Sequence, residues 1–353
     1  MESPGRLRPA SPWGPRLARL ALVGAGLGLV VWMFRRVGWP AIQANLRSIG
    51  GWFFVLVALY GVSELAFTLG WWAVIHPRPA LSRLPRLLAV YLAGDSANSL
   101  APGGVAGEPL KVHLLSGELG SGPTLASVSL HKHVDLLAQW VFVLAGAGVT
   151  LASFPLSTGA RVGVLAGVAV LGAMLGAWTW AMRRGSYGPA VRWLSRWKWL
   201  AERLARHHDG ALDVDEKIRR FYEERRGAFA AGVAFCFAGW CGGAVETGIV
   251  LRLLAPGAGW PAAVGVESLS MVLTTLLLFV PGRVGAAEGA RAGVCVLLGL
   301  TPAQGVAYSL VRRAREIAWL LPGLAVILLR SVRSQKSGGS GRVGAVADGR
   351  ARP

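Results

Sequence analysis

The chain has 353 residues, of which 53% are hydrophobic and 16% charged, against roughly a quarter charged in ordinary soluble domains. That composition excludes a free-standing soluble domain. The formal charge of +19, from 37 Lys and Arg against 18 Asp and Glu, suits contact with anionic lipid head groups or phosphorylated ligands; without a Cys/His finger or similar signature, no nucleic acid is expected as a partner.

Residues 1–16 are Pro- and Arg-rich and read as a cytoplasmic basic tail. The apolar run after them lacks a small-residue cleavage site, which predicts a retained first span rather than a signal peptide. A bilayer core of about 30 Å needs about 20 mainly apolar helical residues. Residues 17–34, 51–75, 124–151, 162–182, 228–254 and 307–329 reach or approach that length, so about six full transmembrane helices are expected. Two further apolar stretches, 84–115 and 264–300, are broken by Ala101-Pro102-Gly103-Gly104 and Val280-Pro281-Gly282-Arg283. Proline removes a backbone donor and glycine loosens the chain, so each stretch predicts a re-entrant helical hairpin whose broken backbone is covered by protein or lines a cavity.

Basic residues set the expected orientation. Arg6, Arg8, Arg16 and Arg19, then Arg78, Arg83 and Arg86, then Arg330, Arg333, Lys336, Arg342, Arg350 and Arg352 place both termini and the loop after the second span in the cytoplasm. Connections near 153–160 and 255–261 carry no Lys or Arg and fall outside, while Arg35, Arg36 and Arg47 run against this scheme. Residues 183–226, with 12 Lys or Arg against 7 Asp or Glu, form a cytoplasmic amphipathic segment. Trp193, Trp197, Leu200 and Leu204 make an apolar stripe there, as on an interfacial helix or a solvated linker. Residues 331–353 read as a disordered cytoplasmic tail, leaving 17–330 as the polytopic membrane domain.

The two broken stretches share an order: an acidic span (Glu64; Glu246), a Pro-Gly-x-Val break, a Glu, then a basic cluster. Glu108 to Lys132 and Glu288 to Arg312 are both 24 residues apart. This predicts a duplication, with repeat one at 51–151 and repeat two at 228–330. Under the expected topology the repeats are inverted, the arrangement of many secondary transporters. The fold class is thus an all-α integral membrane protein with two re-entrant hairpins in an inverted repeat.

Charges inside the hairpins and the spans after them cost about 2.5 to 3.5 kcal/mol each at mid-bilayer, so they must pair or line a polar cavity. Besides Asp95, Arg283, Arg315 and Glu316, the candidate substrate-binding residues are Asn98, Pro102, Gly103, Glu108, Lys111, Lys132 and Asp135 in repeat one and Pro281, Gly282, Glu288, Arg291, Arg312 and Arg313 in repeat two. Lys132, Arg312 and Arg313 suit phosphate, since guanidinium offers paired donors, and helix starts near Val105 and Gly285 would add backbone donors. Asn98 and Ser99 could add neutral hydrogen bonds. Glu108 with Lys111 and Glu288 with Arg291 are spaced for i,i+3 ion pairs that would simply lock the hairpins. Glu64 and Glu246 could carry protons if transport is ion-coupled. His131 and His133 point about 200° apart on a helix, which argues against a shared metal. Cys236, Cys241 and Cys295 lie in apolar stretches without zinc spacing, and no metal or cofactor is expected.

The run from Asn98 through Pro102 to Gly107-Glu108, the run His133-Val-Asp135-Leu-Leu, and the run Pro281-Gly-Arg-Val-Gly285-Ala-Ala-Glu288 followed by Gly299 resemble the transmembrane flippase-like domain of lysylphosphatidylglycerol synthases. The resemblance covers most of the chain, to Leu329. It implies lipid handling in a bacterial inner membrane, by a stand-alone member without the soluble aminoacyltransferase domain and hence without lysyl transfer. The family often has an Arg-type residue near His131 to His133, so histidines there would make head-group binding pH-dependent. The expected function is a flippase or transporter moving an anionic or lipid-linked substrate between leaflets. The alternatives are an integral enzyme acting on lipid head groups, with Glu108, His113 or Asp135 in acid–base roles, and an accessory partner of lipid-biosynthesis enzymes. Membrane lipids are the expected partners.

Overall fold

In a computed structural model the chain forms α-helices and one short 3-10 turn, with no strand among the described residues. The structure describes residues 39–101, 105–185, 187–194, 196, 208–276 and 285–347. The helices are α1 (Trp39–Ile49), α2 (Trp52–Val74), α3 (Leu84–Leu100), α4 (Gly107–Leu119), α5 (Ser121–Ser153), α6 (Thr158–Arg184), α7 (Tyr187–Leu194), α8 (His208–Glu224), α9 (Arg226–Leu254), α10 (Trp260–Leu276), α11 (Ala286–Leu297) and α12 (Pro302–Ala347).

Among the described residues α2, α5, α6 and α9 are long and apolar enough to cross a membrane, where the hydropathy pattern predicts spans. Phe54, Val62, Val162, Leu165 and Trp180 stand exposed on α2 and α6; a surface of this kind is stable only in an apolar solvent. The chain is an all-α membrane protein. The expected span at 17–34 lies outside the described residues, and the one at 307–329 falls within α12. That helix continues through 331–347, into the stretch expected to be a disordered tail. Extending a formed helix needs no new nucleus, and no proline interrupts this part.

Each broken stretch becomes two short helices. α3 and α4 have 17 and 13 residues, and α10 and α11 have 17 and 12, so none is longer than about 26 Å and none spans the core alone. The limits differ from 84–115 and 264–300: α4 reaches Leu119, and α10 begins at Trp260 because Pro261 is tolerated in a first helical turn. Pro102, Gly103, Pro281 and Gly282 lie outside the described residues. At the restart of the second hairpin, Gly285 has φ +87°, a left-handed conformation that favours glycine.

The two repeats interlock through close helix approaches. Ser63, Phe67, Gly70 and Val74 on α2 face Gly242, Gly239, Cys236 and Gly232 on α9. The index falls along α9 as it rises along α2, so the acidic helices run antiparallel, and small residues let their backbones come together. α3 packs on α12 and α10 on α5, with Gly323 against Ser96 and Gly146 against Ser268. Each hairpin therefore leans on the other repeat's last helix. Crosswise packing of this kind is compatible with an inverted repeat. Two buried apolar clusters result: one gathers Leu56, Val143, Val250 and Val266, the other Phe67, Trp71, Val90, Val134 and Ile218. Along α2, Glu64 stands at the boundary between them.

The polar segment contributes α7 and α8. Ala211, Val214, Ile218 and Phe221 form the buried stripe of α8, which packs on α5 and α7. Asp215 accepts the Tyr187 and Gly188 N–H groups at 3.1 and 2.8 Å, so an α8 carboxylate caps α7. The outer face carries an ion-pair ladder in which Glu216 meets Arg219 and Arg220; their hydrogen bonds hold its carboxyl down at about 2. Of the stripe expected from sequence, Trp193 is exposed on α7, while Trp197, Leu200 and Leu204 lie outside the described residues.

A Cβ at Gly70 would sit 2.5 Å from the Cys236 sulfur and 3.2 Å from the Gly232 carbonyl. Gly70→Leu should therefore destabilise the protein by about 1–3 kcal/mol, the usual cost of overpacking, read as a lower thermal midpoint in detergent. Gly51→Ala, which meets nothing within 4 Å, should leave the midpoint unchanged; equal midpoints for the two variants would refute the close approach.

Candidate functional site

The break in repeat one is held by a side chain from α3. Asn98 accepts the Gly107 N–H at 2.6 Å and donates to the Glu108 carboxylate at 3.3 Å, so it caps the N-terminus of α4. In repeat two the same task falls to Glu288, whose carboxylate accepts the Gly285 N–H at 2.6 Å. A negative group suits a helix start. The two helix starts are thus capped differently: Asn98 reaches across the break from α3, whereas Glu288 caps α11 from its own first turn.

The residues that follow correspond at an interval of 180: Glu108 with Glu288, Lys111 with Arg291, Lys132 with Arg312, and Asp135 with Arg315. Their surroundings differ. In repeat two the guanidinium groups meet carboxylates from other helices or the next helical turn. Arg312 donates to Glu267 of α10 at 2.5 and 3.0 Å, and Thr247 donates to the same carboxylate at 2.7 Å. Arg313 lies 3.2 Å from Glu288 and 3.1 Å from Glu316. Arg291 donates to Glu316 at 2.7 Å. Arg315 reaches Glu246 of α9 at 3.1 Å, both side chains 1% exposed, and its guanidinium carbon lies 3.8 Å from the Tyr60 ring centroid.

The i,i+3 pairs expected within the hairpins are replaced by other contacts. Glu288 pairs with Arg313 rather than Arg291, because α12 packs along α11 and presents its guanidinium groups directly to it. Lys111 pairs with no carboxylate within 4 Å among the described residues; its stem crosses Gly94 and its ammonium lies 4.2 Å from the Tyr91 ring centroid and 5.7 Å from that of Trp71, a cation–π arrangement. Lys132 and Asp135 are 3.5 Å apart. Arg312 and Arg313, expected to hold phosphate, can do so only by leaving carboxylate partners.

Repeat one instead opens onto a cleft of about 550 Å³ between α4, α5, α6 and the start of α7, lined by Glu108, His113, Ser129, Lys132, Trp178 and Tyr187. The Lys132 side chain is 40% exposed there. Ser129 and Tyr187 share a hydroxyl–hydroxyl hydrogen bond at its wall. The two histidines diverge as the helical geometry predicts: His131 bonds to the Phe67 carbonyl at 3.1 Å, and His133 meets the Tyr222 hydroxyl and, at 3.0 Å, that of Thr179. Neither lines the cleft. Among the described residues no group of three or more His, Cys, Asp and Glu is placed to hold a metal ion.

Glu64 and Glu246 are both buried, at 3% and 1%, but only Glu246 has a guanidinium against it. Sequence reasoning missed Glu267, the acceptor for Arg312. The signal was present: a lone acid inside an apolar helix, the same pattern that singles out Glu64 and Glu246. Thr247 and Tyr308, which complete its shell, carried no such mark.

Removing one partner of a buried pair leaves the other charge uncompensated, typically at about 3–5 kcal/mol. Glu246→Gln should therefore lower stability in detergent by about that amount, whereas Glu246→Met with Arg315→Leu should recover most of it. Equal losses for the single and the double variant would overturn the pairing.

A search of curated proteins returns no match, and none is found among solved structures. One family model does match, over residues 16–325: the lysylphosphatidylglycerol synthase TM region. That span takes in both hairpins, the cleft and every charged residue of the candidate site, and the chain therefore belongs to this family of membrane domains.

Proposed function

We propose that the protein moves a lipid or lipid-linked substrate with an anionic head group between the leaflets of a bacterial inner membrane, with both termini in the cytoplasm. The observation that carries this reading is the pair of hairpins, each packed on the other repeat's last helix with buried charge beside its break. Antiparallel repeats with discontinuous helices are the architecture of alternating access. In this arrangement repeat one is open, with Lys132 and Glu108 on a cleft, while repeat two is sealed by ion pairs. Exchange of carboxylate partners by Arg312 and Arg313 for a head-group phosphate would open the second side.

A head group entering the cleft meets the Lys132 ammonium for its phosphate, the Glu108 carboxylate and the His113 ring as polar neighbours, and Trp178 and Val128 as apolar walls. The second reading, an enzyme acting on lipid head groups, is favoured by Glu108 and His113 lining one cleft, a pairing that could serve acid–base chemistry.

Reconstitution in vesicles containing a fluorescent phosphatidylglycerol analogue separates these readings. The wild-type protein should speed exchange of the probe between leaflets, and Lys132→Ala should slow it about ten- to hundredfold, the effect of losing one charge-assisted hydrogen bond of about 1.5–3 kcal/mol. Exchange no faster than in protein-free vesicles would overturn transport. A chemically altered probe, detected by mass spectrometry, would establish the enzyme.

A further inference from the structure

The interval that relates the repeats also exposes a mismatch. In repeat two the buried Glu246 is neutralised by Arg315. Glu64 is the acid of the matching helix α2, 182 positions before Glu246, but the residue 180 positions before Arg315 is Asp135, an acid. Where repeat two supplies a cation, repeat one has a carboxylate at the matching position, and that carboxylate lies beside Lys132. Glu64 is 3% exposed; its Oε2 and Glu246 Oε1 both lack a hydrogen bond among the described residues, but Glu246 has the Arg315 guanidinium at 3.1 Å, whereas Glu64 has no cation within 4 Å among the described residues.

The groups around it do not remedy this. The charges of Asp95 on α3, Lys111 on α4 and Arg315 on α12 act on Glu64, and the Tyr60 hydroxyl reaches it from its own helix. From α5 comes His131, bonded to the Phe67 carbonyl; from α9 come Cys236, against Gly70, and Glu246. Arg315 is committed to Glu246, Lys111 is shared between Glu64 and Asp95, and Lys132, which also acts on Asp95, lies 3.5 Å from Asp135. Among these groups Glu64, Asp95, Asp135 and Glu246 outnumber Lys111, Lys132 and Arg315 by one. An uncompensated carboxylate in a low-dielectric interior is costly, and a single proton on the bare oxygen removes the excess charge.

We propose that Glu64 is the coupling carboxyl of the transporter: it takes up one proton from one side of the membrane and releases it to the other as lipid moves, while Glu246 stays locked to its guanidinium. This rests on the transport reading above. The chemistry balances as a carboxylate plus a proton giving a carboxylic acid, and the reverse. A metal cation fits the place poorly, since Lys111 and Arg315 repel it and no group of three or more His, Cys, Asp and Glu is gathered there among the described residues.

Two measurements on the full-length protein in liposomes test the assignment. In the first, infrared difference spectra across a pH titration should show a carboxylic-acid C=O band that disappears in Glu64→Gln and persists in Glu118→Gln; a band unchanged by Glu64→Gln refutes the proton site whether or not lipid moves. In the second, an imposed gradient of one pH unit should drive accumulation of the fluorescent phosphatidylglycerol analogue in one leaflet by about tenfold for one proton per lipid, with proton flux reported by an entrapped dye. Glu64→Gln should abolish both the accumulation and the flux. Glu64→Asp, which keeps a titratable group, should retain coupling with a displaced pH dependence, and it replaces Glu64→Gln in both assays if the amide variant fails to fold. Lipid exchange that ignores the pH gradient, or that follows a sodium gradient instead, overturns the coupling and leaves transport standing; absence of any exchange overturns transport, while the infrared band still reports on Glu64.

Discussion

The structure is governed by the cost of placing charge where water is absent. Each ionised group at membrane depth must find an opposite charge, a ring face or a polar cleft, and the helices are arranged to provide one of the three. Glu246 and Arg315 satisfy each other across α9 and α12. Glu267 and Arg312 do so across α10 and α12. Lys111 uses aromatic faces, and Lys132 reaches a cleft. Ion pairs of this sort are weak contributors to net stability, because desolvation offsets much of the attraction; their effect is to make particular helix positions the only affordable ones.

Small residues make that arrangement reachable. Gly70, Gly232, Gly239 and Gly242 bring α2 and α9 into close antiparallel contact, which places the two acidic positions on either side of one central pair. The hairpins then pack crosswise, α3 on α12 and α10 on α5. Movement of one hairpin is consequently felt by the final helix of the other repeat, and the charges that seal repeat two lie on that helix.

The symmetry is broken where it bears on function. Asn98 and Glu288 cap equivalent helix starts with a neutral and an acidic group. Lysines in repeat one correspond to arginines in repeat two, and Asp135 corresponds to Arg315. The result is one repeat with a buried ammonium on aromatic faces and another beside a cleft, and a second repeat whose guanidinium groups each meet a carboxylate. α8 closes the edge of the open repeat, tied to α5 and α6 through the hydrogen bonds of His133 with Tyr222 and Thr179.

Much of this was legible in the sequence because hydropathy and backbone chemistry are local properties. Apolar length marked α2, α5, α6 and α9; proline and glycine marked the two breaks; recurring spacing marked the repeat; and the run from Asn98 to Glu108 pointed to the right family. The partners were not legible. Glu108 and Lys111, or Glu288 and Arg291, are neighbours on a helix whatever the tertiary structure, and sequence spacing favours pairing them. Which carboxylate a guanidinium meets depends on the rotation and crossing of packed helices, and there Arg313 lies nearer Glu288 than Arg291 does. The sequence alone determined that this is a helical membrane protein with two broken, charge-bearing hairpins; only the tertiary structure decided which charges are neutralised, which one faces a cleft and which one, Glu64, has no ion-pair partner within 4 Å among the described residues.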